Sequence, residues 1–406
     1  MSGSRFSLYE NPQVSTAESP PQACADVLRP QDCARASAEI RSWPGYRATP
    51  LRSLPGLAGA LGIGELLYKD ESDRFGLGSF KALGGAYAVY RHLVRALAAA
   101  DVPQPISVSD LMAARHADKV SRLTVACATD GNHGRSVAWG AKLFGCGCVI
   151  FLHPHVSDAR EAAIASYGAQ VVRTEGNYDD SVARAAEEAR KNGWQVISDT
   201  SYPGYTQIPG EVMCGYTVMI DEIIDDRAGA PPPTHVFVQS GCGGLAAAVY
   251  APLWRHYGVS RPQLVIVEPH NAACLYASGV AGSYVEVGGD LDTVMAGLSC
   301  GEPSLLAWPL VVAGTHYFMR IDDDTALATM RRLAAGERGD TPVVGGESGV
   351  AGLAGLLALV EDGDAARRLG LDERARVLVF GTEGDTDAQL YTRIVGESGD
   401  AVRARQ

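Results

Sequence analysis

An α/β fold of two lobes is what this 406-residue sequence predicts, and three observations carry it. Short apolar runs alternate with helical segments, which is how strands joined by crossover helices read. Two such series follow one another along the chain. The length also exceeds what one compact core usually fills.

Taken in order, residues 1–50 carry Pro12, Pro20, Pro21, Pro30 and Pro44 and read as an irregular tail over the body. Leu66 to Asp70 reads as a short strand, followed by the loop ESDRFGLGSF and a helix from about Lys81 to Ala100 with small and apolar residues on one face. After a polar insertion at 101–122, the runs LTVACA (123–128), CVIFL (148–152), AQVVR (169–173) and WQVIS (194–198) alternate with helical segments near 134–144, 157–167 and 179–192. That alternation predicts βαβ units on a parallel sheet. The second series holds HVFVQ (235–239), a helix from about 244, QLVIVE (263–268), helical stretches at 323–335 and 348–361, and RVLVFG (376–381). Pro231 to Pro233 form a rigid lead-in to the first of these strands. The expected division is a large domain from 1–81 and 211–406 and a small one from 82–210.

With 46% hydrophobic and 20% charged residues, the composition is that of a soluble globular protein. The net charge of -12 argues against a nucleic-acid binder, which needs clustered Lys and Arg to neutralise phosphates. No signal-like apolar stretch opens the chain and no later segment is apolar for a membrane's width, so a cytoplasmic protein without a membrane partner is expected. The nine cysteines are scattered, as buried reduced thiols would be. Cys146, Cys148, His153 and His155 fall within ten positions. The histidines lie a strand's length beyond the cysteines, so a buried strand with a polar exit is favoured over a metal site.

Only five of the 35 basic residues are lysines, and Lys81 sits between a glycine-rich turn and a glycine pair. Phe80 and Leu83 would place it against apolar surface, where desolvation disfavours the ammonium and exposes a nucleophilic amine suited to Schiff-base chemistry. A solvated helix-start lysine is the plainer alternative. QSGCGGL (239–245) follows a strand and opens a helix, so the N–H groups of Gly241, Cys242, Gly243 and Gly244 can converge on a phosphate. The spacing of a dinucleotide loop is not met, because Ala246 stands where its third glycine belongs. In ATDGNHGRSVAWGAKLFG (128–145), Asn132 suits a ring hydroxyl, and the Gly131 and Gly134 backbone allows close approach of a small carboxylate. Asp130 and His133 share that turn, although Asp130 also reads as a helix cap.

Lys81, the 128–134 turn and the 239–245 loop, in this order, resemble the pyridoxal-phosphate enzymes of the tryptophan synthase β-subunit type. The likeness runs from about Leu66 to Asp387. Within that group the chain is similar to the diaminopropionate ammonia-lyase family through KDESDRFGLGSFKALGGAYA, TDGNHGRSVAW, SDTSYPGYTQIPGEVMCGY, AGLSCGEPS, GGESGVAGL and FGTEGDTD. The resemblance implies two three-layer α/β domains with pyridoxal 5'-phosphate in the cleft between them, and a homodimer. It implies that Lys81 is the Schiff-base lysine, that Asn132 holds the cofactor's phenolic oxygen, that Gly241 to Gly244 hold its phosphate, and that Thr382 faces its pyridine nitrogen. It further implies that Asp130 and Asp199 are catalytic carboxylates, and that they bind substrate together with Gly131 and His133.

The implied reaction is α,β-elimination of 2,3-diaminopropionate to pyruvate and two ammonia. Lys81 would take the Cα proton of the L isomer and Asp130 that of the D isomer, with Asp199 at the β-amino group. Related dehydratases carry a hydroxyl residue where this sequence has Asp130, and two acids suit a substrate with two amines. The residues ahead of the lysine, GLGS rather than GLNA, depart from better-known members and bear on substrate preference. Another β-elimination, as in serine or threonine dehydratases, is the rival within the fold, and a non-catalytic cofactor-binding protein the rival of another class. Cys274 and Cys300 fall in matching blocks and could pair, although free thiols are favoured.

Overall fold

The structure, a computed structural model, describes residues 5–406 apart from Asp130, His155 and Asn177. The chain forms two compact units, one from Met1–Leu28, Ala48–Ser79 and Met219–Gln406, the other from Arg29–Arg47 and Phe80–Val218. Three strands come first, β1 (Phe6–Glu10), β2 (Leu51–Ser53) and β3 (Glu65–Asp70). Four follow in the smaller unit, β4 (Thr124–Ala128), β5 (Gly147–Leu152), β6 (Gln170–Arg173) and β7 (Gln195–Val196). The last four are β8 (His235–Gln239), β9 (Gln263–Pro269), β10 (Thr315–Ile321) and β11 (Arg376–Gly381).

In the larger unit the sheet order is β1-β10-β9-β8-β11-β3-β2. The inner pairs are parallel, while β1 and β2 run antiparallel at the edges. β8 is buried along its whole length, as expected of a strand covered on both faces. Phe237, Val265, Val267 and Met319 from the strands pack with Leu353, Leu356 and Leu357 of the helix Ala351–Glu361 and Met330 of the helix Asp323–Ala335. Successive strands run outward from β8 to β10 on one side, and β11 lies on the other. The carboxyl ends of β8 and β11 therefore flank the point where strand order reverses, the usual ligand position in such sheets.

The smaller unit holds a parallel sheet in the order β6-β5-β4-β7. The helix Ala82–Ala99 packs against the helices Asn132–Phe144 and Gln207–Tyr216. Glycine permits this approach, because a Cβ on Gly215 would run into the Leu83 carbonyl oxygen. Ser136 stitches the first pair, its hydroxyl donating to the Lys81 carbonyl at 2.8 Å and accepting from the Ala86 N–H at 3.1 Å.

The expected irregular tail is corrected by two elements. Phe6–Glu10 is the edge strand β1, and Pro30–Arg41 is a helix of the smaller unit with Cys33, Ala36 and Ile40 buried. Pro30 starts that helix, since the first turn needs no proline N–H.

Just before the Lys81 segment lies a fully buried charge network. The Lys69 Nζ donates to Glu222 Oε2 at 2.6 Å and to the Thr49 carbonyl at 2.8 Å. The Arg74 guanidinium bonds Glu71 at 2.7 and 2.8 Å and Glu222 at 2.7 and 2.8 Å. Two cations thus face two carboxylates, and burial is compensated by charge and by directed hydrogen bonds.

Candidate active site

Lys81 caps the helix Ala82–Ala99 at its start, with its carbonyl held by the Gly84 and Gly85 N–H groups as well as Ser136. Its backbone is therefore fixed, and the side chain is what remains to move. The Nζ donates to Asp199 Oδ2 at 2.5 Å and lies 5.3 and 5.7 Å from the ring centres of Phe80 and Tyr216. The apolar surface expected from Phe80 and Leu83 is built from Phe80 and Tyr216, while Leu83 is buried in the helix packing.

His133 lies on the other side of Asp199, with Nδ1 3.8 Å from Asp199 Oδ2. Its Nε2 is 3.0 Å from the Ile197 carbonyl oxygen, which can only accept, so Nε2 carries the proton and Nδ1 is bare. Burial pushes the imidazole below its ordinary value, against the pull of Asp199. For Asp199, burial works toward protonation, but the charges of His133 and Lys81 and the Lys81 hydrogen bond outweigh it and hold the carboxyl well below the usual range. Lys81, whose Nζ donates the hydrogen bond, is the cation paired directly with Asp199.

Gly131 precedes the helix Asn132–Phe144 with φ 147°, and Asn132 is its first residue, half-buried. The Thr129 hydroxyl accepts from the Gly131 and Gly134 N–H groups at 3.1 and 3.0 Å, a capping role that sequence reasoning looked for in Asp130. Asp130 itself lies outside the described residues.

In the larger unit, the turn after β8 leads into the helix Gly244–Tyr257, with Gly243 in the left-handed region at φ 104°. Among the described residues, the N–H groups of Gly241, Gly243 and Gly244 meet no acceptor, and no acidic side chain enters the first helical turn. The buried Ser240 hydroxyl has no partner there either. Thr382 follows β11, buried, with Oγ1 accepting from the Gln239 side chain at 2.7 Å.

Three comparisons bear on this arrangement. Residues 42–383 match the family described as pyridoxal-phosphate dependent enzyme. Diaminopropionate ammonia-lyase of Escherichia coli strain K12 is 41% identical over 364 residues, covering 88% of this chain and 89% of that protein. The chain belongs to the diaminopropionate ammonia-lyase family. The crystal structure of an Escherichia coli diaminopropionate ammonia-lyase in complex with D-serine superposes with a TM-score of 0.87 at 36% identity, covering 98% of each chain. The same enzyme in complex with an aminoacrylate–pyridoxal-phosphate azomethine reaction intermediate gives 0.86 at 35% identity, covering 97% of each.

The ammonia-lyase family's cofactor fits what each unit presents. Unmet N–H groups at a glycine turn and the start of a helix are donors for a phosphate. The Lys81 residue is anchored at its backbone, and Asn132 stands within the turn that Thr129 braces, between Gly131 and Gly134.

Sequence reasoning missed Ser136, Tyr216 and Gln239. The last was signalled by a polar residue ending the otherwise apolar run of β8.

No disulfide joins the nine cysteines, although the Cys274 and Cys300 thiols lie within hydrogen-bond reach of each other and also meet the Gly241 and Glu302 carbonyls respectively. Cys146 precedes β5 and Cys148 lies within it, while His155 is outside the described residues.

Proposed function

We propose that this ammonia-lyase eliminates ammonia from 2,3-diaminopropionate with pyridoxal 5'-phosphate as cofactor, giving pyruvate and two ammonia. The half-buried Lys81–Asp199 pair with His133 at its back is the observation that carries the reading. Bound at Lys81, the cofactor supplies an electron sink for the charge that develops at Cα.

The chain's own groups would do the rest. Gly241, Cys242, Gly243 and Gly244 hold the phosphate, Asn132 the phenolic oxygen, and Thr382 the pyridine nitrogen. Lys81 removes the Cα proton of the L isomer and Asp130 that of the D isomer. Gly131 and His133 line the substrate.

Asp199, held as an anion, attracts the β-ammonium and keeps it protonated, so the group departs as neutral ammonia when the Cβ–N bond breaks. Addition of water to the released 2-aminoacrylate gives pyruvate and the second ammonia.

No described helix is long and apolar enough to cross a membrane. A cytoplasmic homodimer serving amino-acid catabolism accords with the family likeness, and light scattering of the purified protein tests the dimer.

The deciding experiment follows keto-acid release from D- and L-2,3-diaminopropionate, D-serine, L-serine and threonine, with Lys81→Ala as control. Pyruvate from diaminopropionate well above the other substrates is expected. Comparable or higher turnover of serine or threonine would make the chain a dehydratase, and cofactor binding without turnover of any would leave only a binding role. Loss of the L-isomer reaction alone in Lys81 variants that keep the cofactor, and of the D-isomer reaction alone in Asp130→Asn, is the expected split between the two bases.

A further inference from the structure

Gln239, the last residue of β8, is fully buried, and its side chain joins three segments of the larger unit. Its Nε2 lies 2.8 Å from the Gly349 carbonyl oxygen, 2.9 Å from the Phe380 carbonyl oxygen and 2.7 Å from Thr382 Oγ1. Its Oε1 has no partner and sits over Gly352, where a Cβ would come within 2.9 Å. The amide cannot be turned round, because Oε1 would then face two carbonyl oxygens that only accept.

An amide NH2 has two hydrogens and no available lone pair. Thr382 therefore cannot donate to Gln239, and among the described residues its Oγ1 has no other partner. The hydroxyl hydrogen must point away from Gln239. A ring nitrogen with a lone pair is the complement of such a donor.

We propose that Gln239 is a positioning residue that fixes the Thr382 hydroxyl as a donor toward the cofactor's ring nitrogen and so holds that nitrogen unprotonated. The inference rests on the reading that Thr382 faces the ring nitrogen. Gln239 acts through Thr382 and touches neither substrate nor cofactor. Without its amide, the Gly349 and Phe380 carbonyls would compete for the Thr382 hydrogen, and the ring nitrogen would lose its donor.

The test is nitrogen NMR of the holoenzyme reconstituted with pyridoxal 5'-phosphate labelled with 15N in the ring. The wild type should show a hydrogen-bonded, unprotonated resonance, and a pyridinium-like resonance would overturn the proposal with no variant needed. Thr382→Val should move the signal toward that of a free pyridine. Gln239→Met and Gln239→Glu should move it in the same direction by a comparable amount, with kcat falling roughly tenfold and the double variant Gln239→Met/Thr382→Val moving no further. If Thr382→Val shifts the resonance and the folded Gln239 variants do not, Gln239 only packs and the proposal is lost. An unmoved resonance in Thr382→Val would instead refute the placement of Thr382, and the role of Gln239 with it.

Discussion

Asp199 shows how a single residue's state follows from its neighbours. Its carboxyl is half-buried, and the pair with Lys81 keeps it ionised, so it enters the reaction as an anion that binds an ammonium and not as an acid that gives up a proton. A serine hydroxyl offers it no charge to hold. Asp199→Asn should therefore lower kcat/KM for diaminopropionate on the order of 10²-fold or more while changing turnover of serine far less, a comparison made by keto-acid assay on both substrates. Equal losses on both would show that Asp199 acts on the lysine alone. Asp199 was legible in the chain only through its surrounding block, because nothing local says that an aspartate after a short strand faces a lysine 118 positions earlier. Tyr216, whose ring lies near the Lys81 amine, was hidden for the same reason.

Elements repeat this lesson with more chain between the partners. Strands buried on both faces were readable from their apolar runs, and β8 and β11 fall where HVFVQ and RVLVFG place them. β10 escaped because THYFMRI mixes polar and apolar residues without a clear period, and β1 because it is a half-buried edge strand in a proline-rich region. ESDRFGLGSF read simply as a loop, yet Arg74 within it and Lys69 just ahead of it are fully buried, since Glu222 arrives from the distant helix Val218–Asp226. Burial raises the Glu222 carboxyl, but the Arg74 hydrogen bonds and charge and then Lys69 bring it down to about 2. Removing one partner strands a buried charge, so Glu222→Gln should cost about 3–5 kcal/mol in denaturant unfolding. Lys69→Met added to Glu222→Gln restores the charge balance with Arg74 and Glu71 and should recover part of that loss. A double variant less stable than Glu222→Gln would show that the bonds and not the balance hold this segment.

At the scale of the whole molecule, buried titratable groups set opposing pH limbs. Burial, with a smaller push from Arg95, lowers His92 to about 4, and burial with Arg261 does the same to His316. His133 and His235 are lowered as well, again chiefly by burial. Between pH 4 and 6.5 the unfolded chain would carry protons on the His92 and His316 rings that the folded chain lacks, with His133 and His235 acting in the same direction, so this contribution is complete above about pH 6.5 and is lost as pH falls. Glu268 works the other way: burial raises it to about 8 despite N–H bonds from Leu275 and Tyr276 at 2.8 and 2.6 Å. The folded chain then keeps a proton that the unfolded chain gives up above about pH 4.3, and stability declines as pH rises to 8. At least two histidines oppose one carboxyl below pH 6.5, and the carboxyl acts unopposed above it. Thermal midpoints measured from pH 4.5 to 9 should therefore peak near 6.5, with a loss of about 2 kcal/mol by pH 8 from Glu268 alone. His316→Asn, which can still accept from the Leu264 N–H, should flatten the acid limb, and Glu268→Gln the alkaline one. A midpoint that climbs steadily from pH 6.5 to 8 would mean that Glu268 is ionised in the folded protein, its charge met by the backbone N–H groups and Arg320.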